Sequence, residues 1–469
     1  MRLRRGVARA AAYCIAALAL TSCGASVLRT SPSVDASLRA AGRPPAGSVP
    51  ISHVVIVIQE NRSFDNFFAT FPNADGTTFG YMKNSSGSGD TYVPLQKVDL
   101  VGPCDFGHSY RAVRLDYDGG KMDGFGLEGA GKKCRGPAGT KVYQYVDPAQ
   151  LAPDWDLAKE YVLADHLFQT QGSGSFTAHQ DLIAGATIIN RPRDTKSIVD
   201  FPTAQPWGCD APTGTDTSLL HATPNKKIHF EYRRGPFPCF DYLTLRDLLD
   251  ANRLSWKYYS PKEASTGRYW NAFDAIKAVR EGPEWTTNIA ESNLFFSDVA
   301  ARKLPAVSWI VPDNPNSDHP GNHSDTGPSW VASIVNAIGK SDYWNTSAII
   351  VVWDDWGGMY DHEPPPFFDE WGGLGFRVPM IVVSPYAREA TPSVPGYVSH
   401  TQYEFGSILK FVENIWGLGR LGTTDKRAAS IIDCFDFTQP PRAFTTITTK
   451  YSRAYFLHQR PSYLPVDTE

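Results

Sequence analysis

The stretch His53-Val-Val-Ile-Val-Ile58 is a continuous apolar run, typical of a strand buried on both faces of a parallel sheet. Three similar runs follow along the chain, at Val307–Val311, Ala348–Val352 and Pro379–Val383. Segments with helical patterns lie between and after these runs, at residues 178–186, 241–252, 328–340 and 401–416. Strands that alternate with helices predict an α/β fold with a central, mostly parallel sheet flanked by helices.

The rest of the chain is interpreted around this sheet. The 469 residues are 42% hydrophobic and 20% charged, which is ordinary for a soluble globular protein. Residues 51–469 are predicted to form a single domain with loop-rich insertions at about 72–150 and 187–240, and residues 24–50 a flexible tether. The net charge of −4 shows no global basic excess, so nucleic acid is not an expected partner.

The first 23 residues carry the targeting signals. Four arginines precede the short apolar run Ala10–Leu20, and small residues follow it, which is typical of a secretory signal and too short for a membrane span. Leu20-Thr21-Ser22-Cys23 also resembles a bacterial lipobox, which would make Cys23 a lipidated residue. We therefore expect an exported lipoprotein, periplasmic or at the cell surface, anchored to a bacterial membrane through its N-terminal lipid. A plain signal peptide cleaved nearby is the alternative.

Five cysteines lie beyond this signal: Cys104, Cys134, Cys209, Cys239 and Cys434. Export favours disulfides, and an odd number leaves at least one thiol over. Proximity in sequence favours Cys104–Cys134 and Cys209–Cys239 with Cys434 free. Other pairings stay open, because connectivity is not fixed by sequence.

Polar residues that follow the apolar runs are the candidates for a site, because ligands in α/β folds bind beyond the carboxyl ends of the strands. They are Gln59–Asp65 after the first run, Asp313–His319 after the second, Asp354-Asp355 after the third and Ser384–Tyr386 after the fourth.

Asp354 and Asp355 are the most informative of these residues. Adjacent carboxylates repel each other unless a cation lies between them, and Gly357-Gly358 permit the turn that brings both to one ion. Glu60 and Asn61 would add a carboxylate and an amide oxygen. Such oxygens favour Mg²⁺, Mn²⁺ or Ca²⁺, and a histidine ligand would favour Zn²⁺ or Fe. The alternatives are a solvated acidic loop for the aspartates and a helix cap for Glu60 and Asn61.

The segment Gln171–His179 offers a nucleophile. Gly172 and Gly174 let the backbone approach an anion, and Ser175 precedes a helix predicted to begin near Ala178. Helix N-termini attract phosphate, so Ser175 is a candidate for attack on a phosphate ester. A simple N-cap is the alternative.

Together these segments resemble the bacterial phosphoesterase family that joins phosphatidylcholine-type phospholipases C with periplasmic acid phosphatases, within the alkaline-phosphatase-like superfamily. The matching segments come in the family's order: HVVIVIQENRSFDNFF (53–68), GHSYRA and YDGGKMDGF (107–125), GSGSFTAHQDLIAG (172–185), SDHPGNH (317–323), SAIIVVWDDWGGMYDHEPPP (347–366), GFRVPMIVVSPYAR (375–388) and VSHTQYEFGSILKFVE (398–413).

The resemblance implies roles for particular positions. One divalent metal ion would be held by Glu60, Asn61, Ser175, Asp354 and Asp355, with Ser175 also the nucleophile. His108 and His319 would contact phosphate or donate a proton, and Asn61 would also contact substrate. Asp318 and His362 would contact these groups without touching the metal or the substrate. Structural or helix-end roles are assigned to His166, His179 and His400.

The expected activity is metal-dependent hydrolysis of phosphate esters through a phosphoseryl intermediate. The longer phospholipases carry extra modules after the last motif, whereas residues 420–469 are too few for a typical domain. This favours a phosphomonoesterase of the acid-phosphatase type. A phospholipase C acting on phosphatidylcholine-type diesters is the alternative within enzymes, and a non-catalytic, anion-binding surface lipoprotein is the alternative outside them.

Overall fold

The computed structural model describes residues 49–466 except 85–88, 103, 132–133, 135, 192–194, 223–227, 367–372 and 392–393. The predicted signal segment and nearly all of the predicted tether lie outside the described residues. No helix in the described ranges is both long and apolar enough to cross a bilayer.

The strands in chain order are β1 (His53–Gln59), β2 (Phe79–Lys83), β3 (Asp90–Pro94), β4 (Gln96–Val98), β5 (Gln144–Val146), β6 (Val162–Ala164), β7 (Leu167–Phe168), β8 (Ile188–Arg191), β9 (Thr195–Pro202), β10 (Thr217–Ala222), β11 (Ile228–Glu231), β12 (Trp256–Ser260), β13 (Ile289–Glu291), β14 (Val307–Ile310), β15 (Ser347–Trp353), β16 (Met380–Val383), β17 (Tyr397–Ser399) and β18 (Tyr403–Glu404).

The α-helices are α1 (Phe64–Phe68), α2 (Tyr110–Tyr117), α3 (Ala152–Glu160), α4 (Ser175–Ala184), α5 (Leu245–Ala251), α6 (Lys277–Arg280), α7 (Glu284–Thr287), α8 (Leu294–Ala300), α9 (Gly327–Gly339), α10 (Phe405–Trp416) and α11 (Arg453–His458). Short 3₁₀ turns connect several of them.

An eight-stranded sheet forms the centre of the fold, in the order β13-β12-β14-β1-β15-β16-β6-β17. All of its strands run in one direction except β16, which is antiparallel to both of its neighbours. Helices cover the sheet, and their apolar sides join its strands in the largest core cluster. The predicted α/β fold with a mostly parallel sheet is confirmed.

The two apolar runs that predicted the sheet lie at its centre. In β1, Val54–Ile58 are fully buried, and β15 is buried along its whole length. The two strands pair in parallel from His53 opposite Ser347 to Gln59 opposite Trp353. Each fully buried aliphatic side chain contributes about 1.5–3 kcal/mol, so the register of these strands is strongly fixed.

The expectation that Ser384–Tyr386 lies at the same sheet edge as the other polar segments is wrong, because β16 runs in the opposite direction. The hydroxyl of Tyr386 donates to the carbonyl of Asn345, which precedes β15, at 3.1 Å. The start of β16 instead adjoins the end of β15, where the amide of Trp353 donates to the carbonyl of Pro379 at 3.3 Å.

Two helices begin elsewhere than predicted. Helix α4 begins at Ser175, three residues before the predicted start, with Gly174 as its N-cap. Helix α10 begins only at Phe405, because a capping box between Glu404 and Ser407 closes its N-terminus.

Each insertion contains regular structure. The first includes the β2–β3 hairpin and the β4–β5 pair, and the second forms a four-stranded antiparallel sheet of β8–β11. Cys104–Cys134 links the first, Cys209–Cys239 links the second, and the thiol of Cys434 is free and buried. Both predicted disulfides are confirmed.

Candidate active site

The carboxyl ends of β1 and β15 bring four predicted metal ligands together. Since Gln59 and Trp353 are opposite each other in the sheet, the residues that follow them come side by side. Glu60, Asn61, Asp354 and Asp355 follow, and all are fully buried. The amide of Asn61 donates to Oδ1 of Asp354 at 2.9 Å, which joins the two strand ends directly.

A tight turn after Asp355 holds this carboxylate in place. The amide of Gly357 donates to Oδ1 of Asp355 at 2.7 Å. Gly357 has a φ of 62°, and a Cβ atom there would lie 2.4 Å from the carbonyl oxygen of Asn61. Only glycine meets both conditions without strain. Asn61 itself has a φ of 54°, a conformation that asparagine adopts more readily than most residues.

Ser175 lies against Asp355 and Asn61. Its hydroxyl donates to Oδ2 of Asp355 at 3.0 Å, and the Asn61 side-chain amide is 3.3 Å from its Oγ. The same amide is 3.1 Å from Oδ2 of Asp355. As the first residue of α4, Ser175 also lies at the positive end of that helix. The predicted nucleophile therefore adjoins the predicted metal ligands.

His108 and His319 lie next to each other at the same site. Nδ1 of His108 is 2.7 Å from the carbonyl of Phe106, and its Nε2 is 3.0 Å from the side-chain amide of Asn61. This pattern makes Nδ1 the donor in a neutral ring and leaves Nε2 to accept from the amide. The His319 ring lies 6.4 Å from the His108 ring, centroid to centroid, and stacks on Trp270.

His179 belongs to the site as well, although the sequence analysis assigned it a structural or helix-end role. Its Nε2 is 2.9 Å from Oε1 of Glu60 and 3.7 Å from Oδ2 of Asp354, and the ring is fully buried. Ser175 and His179 are four residues apart in α4, a spacing that places two side chains on one helix face. It was assigned a structural role because a lone histidine usually has one, and the spacing from Ser175 becomes a signal only when the helix begins at Ser175.

The buried carboxylates fit a divalent cation. Burial raises the pKa of Glu60 and of Asp355 well above the usual values, and burial together with the charge of Glu60 raises the pKa of Asp354 to about 8. Within the described part of the chain, Oε2 of Glu60, Oδ2 of Asp354 and Oδ1 of Asn61 have no hydrogen-bond partner. Buried oxygens in this state are costly unless a cation binds them, so the donor set matches the predicted metal.

Burial also lowers the pKa of His179, which favours the neutral imidazole that binds metals. Glu60, His179 and Asp354 each offer a ligand atom, and these atoms lie within 4.8 Å of one another.

The loop that carries Asp318 adjoins the end of β1, next to the site. The amide of Glu60 donates to the carbonyl of Ser317 at 2.8 Å, which ties this loop to the end of β1. The carbonyl of Asp318 accepts from Nε of Arg62 at 2.7 Å, and its carboxylate packs against Gly327 at the start of α9. Burial raises the pKa of Asp318 to about 7, although the charge of Arg62 opposes this rise.

His362 lies in a different charge cluster. Its Nδ1 is 2.7 Å from Oδ2 of Asp65, and Arg377 and Asp361 are adjacent. Burial lowers the pKa of His362, but the hydrogen bond to Asp65 more than offsets this, so that the pKa is raised to about 9.

The two other histidines with predicted structural roles share one carboxylate. His166 and His400 each place Nδ1 2.7 Å from an oxygen of Asp165. Both rings therefore contact the loop after β6, and Nε2 of His166 also lies 3.4 Å from Oδ2 of Asp75.

A serine at a helix N-terminus, beside carboxylates at the carboxyl edge of a parallel sheet, is the arrangement of a metal-dependent hydrolase. The model of the phosphoesterase family matches residues 51–419. The chain belongs to this family, and it is a hydrolase of phosphoric esters. The family prediction is confirmed.

Curated relatives cover most of the chain. Phospholipase C A of Mycobacterium tuberculosis (strain ATCC 25618 / H37Rv) is 26% identical in an alignment 460 positions long, which covers 86% of this chain and 80% of that protein. Non-specific phospholipase C6 of Arabidopsis thaliana is 24% identical over 85% of this chain and 75% of its own length. Among solved structures, an alkaline phosphatase superfamily protein from Vibrio parahaemolyticus aligns with a TM-score of 0.37 and 9% identity, over 83% of this chain and 73% of that one.

Proposed function

We propose that the protein is a phosphodiesterase of the phospholipase C type, which cleaves phosphatidylcholine-like lipids with Ser175 as its nucleophile. The observation that carries this proposal is the set of donors around the nucleophile. Within the described residues, the groups that donate hydrogen bonds to Ser175 and Asp355 are the Asn61 amide, the Ser175 hydroxyl and the backbone of Gly357, without a lysine or arginine.

These donors favour a substrate whose phosphate carries a single negative charge. A phosphodiester carries one negative charge, whereas a phosphomonoester carries close to two at neutral pH, because its second pKa is about 6. Three carboxylates with one divalent cation leave the site with a net charge of about −1, so with neutral donors it accommodates the monoanion at lower electrostatic cost than the dianion. The names of the curated relatives, which are phospholipases C, support the same choice.

The metal would be held by Glu60, Asn61, Ser175, Asp354 and Asp355, with His179 as a nitrogen donor. A bound divalent cation lowers the pKa of a serine hydroxyl and neutralises charge on phosphate oxygens. The carboxylates suit Ca²⁺, Mg²⁺ or Mn²⁺, and His179 shifts the preference toward Zn²⁺ or Fe.

The proposed reaction consists of two successive displacements at phosphorus, and residues of the chain act in both. Ser175 gives its proton to Oδ2 of Asp355, and its Oγ forms a bond to phosphorus as the bond to the diacylglycerol oxygen breaks. The imidazolium form of His108 or of His319 supplies a proton to that leaving alcohol. Water then attacks phosphorus and gives a proton to that histidine. The bond to Ser175 breaks as Asp355 returns its proton to Oγ, and the phosphorylated headgroup leaves. The N-terminus of α4 stabilises the phosphoryl oxygens in both steps.

A second candidate is the acid phosphatase activity favoured by the sequence analysis. The observation that supports it is the depth of Ser175, which is fully buried and more easily reached by a small phosphomonoester than by a lipid. Such a substrate becomes monoanionic below about pH 6, so this activity should be confined to acid pH.

The experiment that separates the two compares kcat/KM for phosphatidylcholine in mixed micelles and for an aryl phosphomonoester, from pH 5 to pH 8, with metal-replete protein. The proposal predicts the higher value for the lipid at pH 7–8. A higher value for the monoester across the whole range would overturn it.

We also propose that the protein is exported and anchored through a lipid on Cys23. Two disulfides support export, because they persist mainly in oxidising compartments. Labelling cells with a radioactive fatty acid tests the anchor, since the native chain should be labelled and Cys23→Ser should not. Equal labelling of both would contradict it.

A further inference from the structure

A second group of metal-binding side chains lies outside the Ser175 site, on the loops that follow α1 and β15. Asp75, His362 and Glu363 each offer one ligand atom, and these atoms lie within 4.8 Å of one another. Solvent reaches them, since the exposed side-chain fractions of His362 and Asp75 are 24% and 42%. A cation can therefore enter this group without passing through the active site.

The His362 ring is oriented as metal-binding imidazoles are. Its Nδ1 is 2.7 Å from Oδ2 of the fully buried Asp65, and its Nε2 is 3.4 Å from Oδ1 of Asp75. A histidine that binds a metal through one nitrogen nearly always donates the other N–H to such a carboxylate or to a carbonyl. The backbone amides of Thr77 and His362 donate to Asp65 at 3.1 and 2.9 Å, so this orienting carboxylate is itself held.

The distance between the ligand atoms also fits a single ion. Two ligands at about 2.0–2.2 Å from a tetrahedral Zn²⁺ are about 3.3–3.5 Å apart. Nε2 of His362 and Oδ1 of Asp75 are 3.4 Å apart. The backbone of Asp75 is fixed at this position, because its amide donates to Asp165 and its carbonyl accepts from Arg377, both at 2.8 Å.

The local charge favours a cation. The carboxylates of Asp65, Asp75, Asp361 and Glu363 converge on His362, and the guanidinium of Arg377 lies among them. A divalent ion would displace the proton that these carboxylates hold on His362, and it would offset most of the remaining negative charge.

We propose that Asp75, His362 and Glu363 bind one zinc ion at a site distinct from the active site, with water completing the coordination. One imidazole and two carboxylates are a ligand set that zinc accepts. The ion would join the loop after α1 to the loop after β15. Asn61 lies three residues before α1, and Asp354 directly follows β15. The site therefore stabilises the frame that carries the catalytic groups.

The test is a zinc titration of metal-stripped, full-length protein, with bound zinc measured by elemental analysis after gel filtration. The native chain should bind one equivalent of zinc more than Asp75→Asn/Glu363→Gln. The matched control is Asp156→Asn/Glu263→Gln, which removes two carboxylates whose side chains are 47% and 81% exposed elsewhere on the surface. The control should bind as much zinc as the native chain.

Cobalt provides a second readout that does not depend on activity. In the background Asp354→Asn/Asp355→Asn, which disables the active-site metal, Co²⁺ should still give a visible absorption band that disappears with Asp75→Asn. Circular dichroism checks that each variant is folded, and the single variant Glu363→Gln replaces any that is not.

Two results would overturn the proposal: equal zinc content in the native chain and in folded Asp75→Asn/Glu363→Gln, or an absence of the cobalt band in the active-site background. Either result would mean that Asp75 and His362 form an ion pair without a metal. Neither bears on Ser175, so the proposed catalytic function is tested separately.

Discussion

The hydroxyl of Ser175 and the carboxylate of Asp355 are joined by a 3.0 Å hydrogen bond in a fully buried environment. The serine belongs to the first turn of a helix and the aspartate follows a central strand, so two rigid elements fix the pair. A nucleophile positioned in this way loses little entropy on reaction. The bond also gives the serine proton an acceptor before any phosphate arrives.

Replacing Ser175 by alanine should lower kcat for a phosphodiester by roughly 10³-fold or more, because the group that attacks phosphorus is removed. Metal content by elemental analysis should stay near the native value, since the carboxylates remain. Ser173→Ala is the matched control: this buried hydroxyl donates to Asp200 and should be dispensable for the chemistry. Comparable rates for native protein and Ser175→Ala would exclude the serine as nucleophile.

The metal-stripped protein should lose stability as the pH rises from about 4 to about 8. The pKa of Asp354 is raised to about 8 by burial and by the charge of Glu60, against 3.8 when unperturbed. The folded state therefore binds more protons than the unfolded state in this window, and the free energy of unfolding falls by up to about 1.4 kcal/mol per pH unit for each such group.

Urea denaturation at several pH values measures this slope. Asp354→Asn should flatten it, because the amide does not titrate, and added metal should flatten it in the native chain. A metal-free stability that rises between pH 4 and pH 8 would contradict the electrostatic account of the site.

His179→Gln should weaken metal binding by about 10–100-fold, the usual effect of removing a ligand or a group that orients one. The reason is the 2.9 Å contact between Nε2 of His179 and Oε1 of Glu60. Competition with a chelator measures the affinity. His458→Gln serves as the control, because it changes an exposed histidine whose Nδ1 contacts the carbonyl of Ala454 in its own helix. An unchanged affinity in His179→Gln would remove this residue from the metal site.

Gly357→Ala should lower kcat/KM by about 10²-fold, because the new methyl group would press on the carbonyl of Asn61 and displace the turn that holds Asp355. The melting temperature should also fall, since alanine is strained at a φ of 62°. Gly129→Ala is the matched control, because a Cβ atom there has no neighbour within 4 Å among the described residues. If both variants were equally active, the turn would not position the site.

The parts of the fold that sequence predicted are those with a local cause. The continuous apolar run Val54–Ile58 directly indicates a buried strand, and the polar residues after it indicate where that strand ends. Strand direction has no such signal: β16 is as apolar as β1, yet it runs the opposite way because of its contacts with β15 and β6.

The residues of the site were also predicted only in part. Glu60, Asn61, Asp354 and Asp355 follow long apolar runs, so position alone brought them together. Ser175 needed the family resemblance, because a glycine-rich turn before a helix is common. His179 was missed because it was treated as a lone histidine, and its place on the same helix face as Ser175 requires a helix that begins at Ser175.

The stereochemical course at phosphorus tests the central claim most directly. A phosphodiester made chiral with oxygen isotopes or sulfur is hydrolysed by the native protein, and the configuration of the product is read by phosphorus NMR. Attack by Ser175 followed by attack of water gives two inversions, so the account predicts net retention. Net inversion would mean that water attacks phosphorus directly and that Ser175 forms no covalent intermediate.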